Sequence, residues 1–306
     1  MRWCTIECLI WAAAVPSTLV AQSALLSAIE GSAPAPIVEP TVASLSVGLP
    51  GLWFDPTSAP RATGAFFSIH RSSYAAVQVY HAGLAFRLGP RWSLAYGQSE
   101  IPDLFDTSLT NIDPGLSSLR ARALWGALDA TETIGSFAGS VGVGLAEDDN
   151  VGDFQSSTVA RVAMRLSPLD GVSVGLRVAR GIGGSLPAEP AGRVQLDAAA
   201  SRNLGDVTVS FGAGAARGAL WHYAETRNGF GVAALVTVAS RLSLGVGAGR
   251  YTTGFGATTH EWDRSAVAAL RVSSVHVAVR YTSTKLGAGS GYGASIGYEP
   301  GSSLTQ

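Results

Sequence analysis

The chain has 306 residues, a formal net charge of −1 and 47% hydrophobic but only 14% charged residues. So small a charged fraction is low for an ordinary soluble domain, and the balance of 21 basic against 22 acidic residues excludes nucleic acid as a partner. The only two cysteines, Cys4 and Cys8, stand at the very start, so no disulfide, thiol nucleophile or cysteine metal site is available downstream.

Taken in chain order, Arg2 precedes an apolar stretch over 8–15 and a run of small residues ending at Ala21. This is the layout of a secretory signal and predicts a leader over 1–21. The apolar run is much shorter than the ~20 residues a spanning helix needs, which weighs against the alternative of an uncleaved anchor. Residues 22–61 are rich in proline, as in Ala33-Pro34-Ala35-Pro36, and show no sustained alternation. They are expected to form a plug in a barrel lumen or a periplasmic extension.

From residue 62 to 299 the pattern changes to period two. Val275, Val277, Val279 and Tyr281 take one parity, and His276, Ala278, Arg280 and Thr282 take the other. Successive strand side chains point to opposite faces, so such a segment has one apolar face and one small or polar face. Read this way, the chain holds about fourteen strands of the ~9–11 residues that a tilted spanning strand requires. They are placed at 63–70, 74–88, 92–98, 119–128, 136–146, 154–166, 172–180, 193–203, 207–215, 229–239, 242–251, 264–272, 275–283 and 292–298. No window approaches ~18 uninterrupted apolar residues; the best, from 229 to 240, is stopped by Arg241.

The connections are of two alternating kinds. Tight turns are expected at Gly89-Pro90-Arg91, Pro168 to Gly171, Leu204-Gly205-Asp206, Ser240-Arg241 and Ser273-Ser274. Longer, acid-bearing loops are expected at 99–118, 147–153, 181–192, 217–228, 252–263 and 284–291. Short turns at one rim and long loops at the other are the habit of an antiparallel up-and-down transmembrane β-barrel. The first hairpin, with its turn at Arg71-Ser72-Ser73, is a short exception, and 300–306 form a tail. A soluble exported β-sandwich shows the same one-sided alternation and is the competing architecture.

If the apolar parity meets lipid, the other parity lines the lumen. It carries Arg161, Arg165, Arg177, Arg193, Arg271 and Arg280, with Asp197 the clearest opposing acid. An interior of this kind favours an anionic or amphipathic small molecule, unless plug residues or loop acids pair with the arginines. Arg180 breaks the parity at a strand end, where it can snorkel. Trp92, Tyr96, Trp125, Phe137, Phe154, Tyr251 and Tyr298 are candidates for interfacial girdles. Two loops bring Trp221, His222 and Glu225, and His260, Glu261 and Trp262, to one rim, but their spacing matches no metal or triad motif. No enzyme activity, metal or cofactor is expected.

The stretch GLWFDPTSAPRATGAFFSIH, followed by YHAGLAFRLGPRWSLAYGQSEIPDLF, resembles the opening of Por-type barrels associated with type IX secretion, which are related to the long-chain fatty-acid transporters. In that group an Asn-Pro-Ala-like element precedes the first strand; here Asp55-Pro56-Thr57 and Ser58-Ala59-Pro60 stand in its place. The resemblance covers 51–105 and implies fourteen strands with an N-terminal plug. It further implies either passage of hydrophobic or amphipathic small molecules across the outer membrane or a role with secreted-protein partners. With the alternation, it makes a passive outer-membrane conduit or binding barrel the leading expectation and a secretion or surface-attachment component the second. Outer-membrane lipid is the expected surrounding.

Overall fold

The computed structural model describes residues 37–45, 63–72, 78–87, 92–101, 119–134, 137–150, 157–184, 192–218, 227–253, 259–283 and 290–300. Alternation of small and branched or aromatic side chains makes extended backbone the local choice. The strands are β1 (Gly64–Ser72), β2 (Gln78–Arg87), β3 (Trp92–Ile101), β4 (Leu119–Ile134), β5 (Phe137–Asn150), β6 (Ser157–Leu169), β7 (Val172–Gly184), β8 (Gly192–Leu204), β9 (Val207–Gly218), β10 (Arg227–Val238), β11 (Leu242–Thr253), β12 (Thr259–Val272), β13 (Val275–Ser283) and β14 (Ser290–Tyr298). Each pairs antiparallel with its sequence neighbours, and β1 also pairs with β14, from Ala65 opposite Tyr298 to Ser72 opposite Gly291. The ladder therefore closes into a barrel with no unpaired edge, the only sheet form in which every backbone polar group is satisfied away from water.

The turns at one rim are tight. In the three-residue turn 239–241, Ala239 and Ser240 both have positive φ, 49° and 53°, the mirror-image turn geometry whose twist suits a hairpin. Gly171 and Gly205, at +71° and +65°, occupy the same left-handed region in their turns. At the other rim several strands run further than the alternation predicts. β7 continues to Gly184, β9 to Gly218, and β12 begins at Thr259, so that 259–263 belong to a strand rather than to a loop. Arg71 and Ser72 likewise stand in β1 and not in a turn. Hairpin pairing needs only backbone partners, so it continues past the apolar stretch where the side-chain alternation fades.

The parity assignment gives the barrel its two faces. On β13, Val275, Val277, Val279 and Tyr281 are exposed, whereas Ala278, Arg280 and Thr282 are buried. The same division holds on β8, where Val194 and Leu196 are more than half exposed and Arg193, Gln195, Asp197 and Ala199 are buried. Val246, Phe211 and Ile296 add to an exterior that is apolar nearly throughout its middle. A closed barrel with such a belt is an outer-membrane architecture, in which lipid tails rather than water cover the greasy face. Two stacked sheets with open edges, the sandwich alternative, do not occur among the described strands.

Candidate functional site in the barrel lumen

The lumen is built from one parity of the strands together with residues 37–45. Of the stretch 22–61, only this part is described, and it lies inside the barrel. Ile37, Val38, Val42, Ala43 and Leu45 are buried, and a short 3-10 turn spans Ala43–Leu45. The chain folds on itself through Val42 N donating to Glu39 O at 2.9 Å and Leu45 N to Val42 O at 3.1 Å. Val38, Val42 and Leu45 form one apolar cluster with Ala199, Ala233, Leu235 and Val267 of the wall. Burial of each valine or leucine side chain among them contributes about 1.5–3 kcal/mol.

The wall makes room by having almost no side chains there. Gly212 lies against Val42 and Leu45, Gly214 against the Thr41 carbonyl, and Gly231 against Thr41 and Glu39. A Cβ placed at Gly245 would stand 2.6 Å from Val38 Cγ2, and one at Gly247 would stand 3.1 Å from Glu39 Cβ. A row of absent side chains across β9, β10 and β11 is thus the seat of the internal segment.

Polar groups fasten it. Gln195 Nε2 donates to the Pro40 carbonyl at 2.9 Å, and Ser265 Oγ donates to the Val38 carbonyl. Ser44 donates to Asp197 Oδ2 from its backbone N at 2.8 Å and from its hydroxyl. The other oxygen of Asp197 takes the Arg177 guanidinium in an ion pair whose members are both buried. Glu39 accepts from the Tyr251 hydroxyl, from Thr41 N at 3.2 Å and from Thr41 Oγ1 at 3.1 Å. Burial pushes the Glu39 carboxyl above its ordinary value of 4.5, opposed by the Tyr251 and Thr41 hydrogen bonds and by the charge of Arg280.

The opposite side of the lumen is packed differently. Phe66, His70, Val79 and His81 are buried between β1, β2 and β14, with Gly83 facing the Phe66 ring and Gly291 and Gly293 facing His70. His276, also on the inward parity, lies 3.6 Å from Glu299 at the turn rim.

Of the arginines the alternation assigns to the lumen, Arg177, Arg193 and Arg280 are buried, and Arg165 and Arg271 are partly so. For Arg161 only the strand position on β6 is described. Asp197 is not a lone counter-charge, because Glu39 from the internal segment and Asp263 on β12 share the inward side. The partner of Arg177 is the strand acid Asp197 of β8, not a plug residue or a loop acid.

The rim site fares differently. Trp221, His222 and Glu225 lie outside the described residues. His260, Glu261 and Trp262 are strand residues of β12, and Trp262 turns outward, its ring 6.2 Å from that of Phe230 at 86°. Tyr251, expected in an interfacial girdle, is an inward residue that is only 3% exposed, since it continues the parity of Ser243, Gly245, Gly247 and Gly249. Arg180 is outward, but four residues short of the end of β7 rather than at it. Glu39, Ser44 and Gln195 carry the site without having been singled out, although the glycines of β10 and β11 on the inward parity are a sequence sign that something sits against them.

No family model matches the sequence, and no curated protein matches it. The resemblance to Por-type and fatty-acid transporter barrels accordingly has no family match behind it. Among solved structures, a KdgM porin has 8% identity and a TM-score of 0.40 over 77% of this chain and 98% of its own. The outer membrane protein Omp33 of Acinetobacter baumannii has 9% identity and a TM-score of 0.46 over 79% and 99%. Outer membrane phospholipase A from Escherichia coli has 12% identity and a TM-score of 0.40 over 78% and 92%. Likeness this distant fixes neither a family nor a substrate.

Proposed function

We propose that the protein is a fourteen-stranded outer-membrane barrel that gives small hydrophobic or amphipathic molecules, anionic ones above all, a passive passage or a binding place in its lumen. The observation that carries this reading is the way the lumen is filled. Residues 37–45 are held by side-chain hydrogen bonds and glycine seats, and no strand of the barrel pairs with them. Bonds of this kind break singly, whereas a strand built into the sheet leaves only by unzipping a whole ladder. Arg177 is paired with Asp197 and the charge of Arg280 acts on Glu39, so a ligand with a carboxylate or phosphate competes with these two acids for the same basic groups.

The test is uptake into proteoliposomes of a fluorescent fatty-acid analogue and of a neutral sugar of similar size, by the full chain and by a variant lacking 37–45. The reading expects the anionic amphipath to enter preferentially and the deletion to raise uptake of both. If neither solute enters with either protein and no lipid is retained in the lumen, passage and binding are both wrong. Co-purification of secreted proteins in place of uptake would move the barrel to the second role, in a secretion or surface-attachment system.

A further inference from the structure

The exterior of β10 to β14 is not a uniform belt. A hollow of about 620 Å³, of the size that holds a drug-sized ligand, is sunk into the outer wall. Its floor is made of small outward residues, Ala234, Ala266 and Ala268. Leu244 and Val246 rise on one side, and Val279 and Tyr281 on the other. The strand register shows how it is oriented. Ala234, Val246, Ala266, Tyr281 and Tyr292 lie in one row across the sheet, and Val236, Leu244, Ala268 and Val279 lie in the next row toward the tight turns. The rings of Tyr281 and Tyr292 are 5.2 Å apart, so the far side is a stiff aromatic wall.

The row above, toward the long loops, changes character. Its outward members include Ala248, Arg264, Ser283 and Ser290 in register. Arg264 is exposed and stands two residues along β12 from Ala266, a rise of about 6.5 Å. One row higher, Arg250 is registered between Phe230 and Trp262. Arg71, Arg180 and Arg217 are further exposed arginines at this rim; the tight-turn rim carries exposed arginines too, Arg87, Arg202 and Arg241, there accompanied by the acids Asp170, Asp206 and Glu299. A greasy trough that ends in a cation flanked by hydroxyls is complementary to one chemistry, an acyl chain joined to a phosphate.

We propose that this hollow is a specific site for a phosphate-headed lipid of the loop-side leaflet, with one acyl chain along β12 over Ala266 and Ala268 and the phosphate at Arg264, within reach of Arg250. The site rests on the lipid-facing assignment of the exterior but not on any traffic through the lumen. It differs from ordinary lipid contact in that chain and headgroup are recognised together, so the bound molecule exchanges slowly.

The experiment is native mass spectrometry of the detergent-purified full chain after addition of phosphatidylglycerol and of diacylglycerol with the same acyl chains. Heat-modifiable gel migration checks the barrel separately. We expect retained phosphatidylglycerol in excess of diacylglycerol, and Arg264→Gln to reduce the phosphatidylglycerol adduct about fivefold while leaving diacylglycerol unchanged. Arg264→Lys is expected to keep the preference, and Ala268→Phe, which fills the floor, to remove both adducts. Should Ala268→Phe fail to fold, the two Arg264 variants decide alone. Equal retention of the two lipids by the wild type, or phosphatidylglycerol retention untouched by Arg264→Gln, overturns the proposal. So does a two-chain species that Ala268→Phe abolishes, which would make the hollow an interface between copies. Loss of heat-modifiable migration in the wild type would instead strike at the barrel itself.

Discussion

Replacing Asp197 by alanine separates what this carboxylate does for the internal segment from what it does for the wall. Ser44 gives it two hydrogen bonds, one at 2.8 Å, and Arg177 gives it an ion pair. Hydrogen bonds to a charged group contribute about 1.5–3 kcal/mol, and two that share one oxygen fall short of additive, so losing them weakens docking of 37–45 by about 2–4 kcal/mol. That is roughly a 30- to 900-fold rise in the undocked population. Arg177 meanwhile stays buried without this partner, a cost to the barrel itself of about 3–5 kcal/mol. The first effect is read with Val42→Cys, a position only 1% exposed, in a Cys4→Ser, Cys8→Ser chain. The rate of maleimide labelling in detergent follows the undocked fraction. The second is read by urea unfolding in lipid vesicles. Asp197→Asn, which keeps an acceptor for Ser44 but no charge for Arg177, is expected to raise labelling less than tenfold while losing most of the wall stability. Labelling of the Asp197→Ala chain within threefold of its parent would refute the assignment of Asp197 as the fastening of the segment.

Other outcomes follow from the same geometry. Gly214→Val sets a branched side chain against the Thr41 carbonyl and is expected to speed Val42→Cys labelling at least tenfold, with heat-modifiable migration unchanged. Glu39 has a docked pKa above the undocked value near 4.5, so its contribution to docking is complete below about pH 4.5 and is lost as pH rises through the docked pKa. Labelling at Val42→Cys is therefore expected to rise from pH 4.5 upward in the parent and to stay flat in Glu39→Gln. Val277→Arg puts a charge in the apolar belt and is expected to lower stability in vesicles by about 2–4 kcal/mol, read by urea titration. The double change Ala239→Asn, Ser240→Gly relieves two positive-φ positions and is expected to stabilise by about 1 kcal/mol in the same titration.

The sequence was most legible where bilayer and pleat agree. On β13 four outward apolar residues alternate with three buried inward ones, and nothing else in the pattern competes with that reading. It failed at strand ends on the loop side, because residues 259–263 carry His, Glu, Trp and Asp, whose polarity suggests a loop although their backbones pair with 249–253. Tyr251 was misplaced for a related reason: an aromatic near a strand end suits an interface, and only its parity with Gly245, Gly247 and Gly249 marks it as inward. The internal segment was the least legible part. Residues 37–45 have no periodicity of their own, since their conformation is set by a glycine surface and by Gln195, Asp197 and Ser265, all distant in the chain.

That distance has a consequence for biogenesis. Ser44 meets Asp197 across 153 positions of the chain, and Val38 meets Ser265 across 227, so residues translated ahead of every described strand find their seats only when β8 to β12 stand side by side. Contacts of such long range form late. Seating of the segment is thus a record that β8 to β12 have assembled side by side, and a barrel that lacks them leaves the same nine residues open to a quality-control protease.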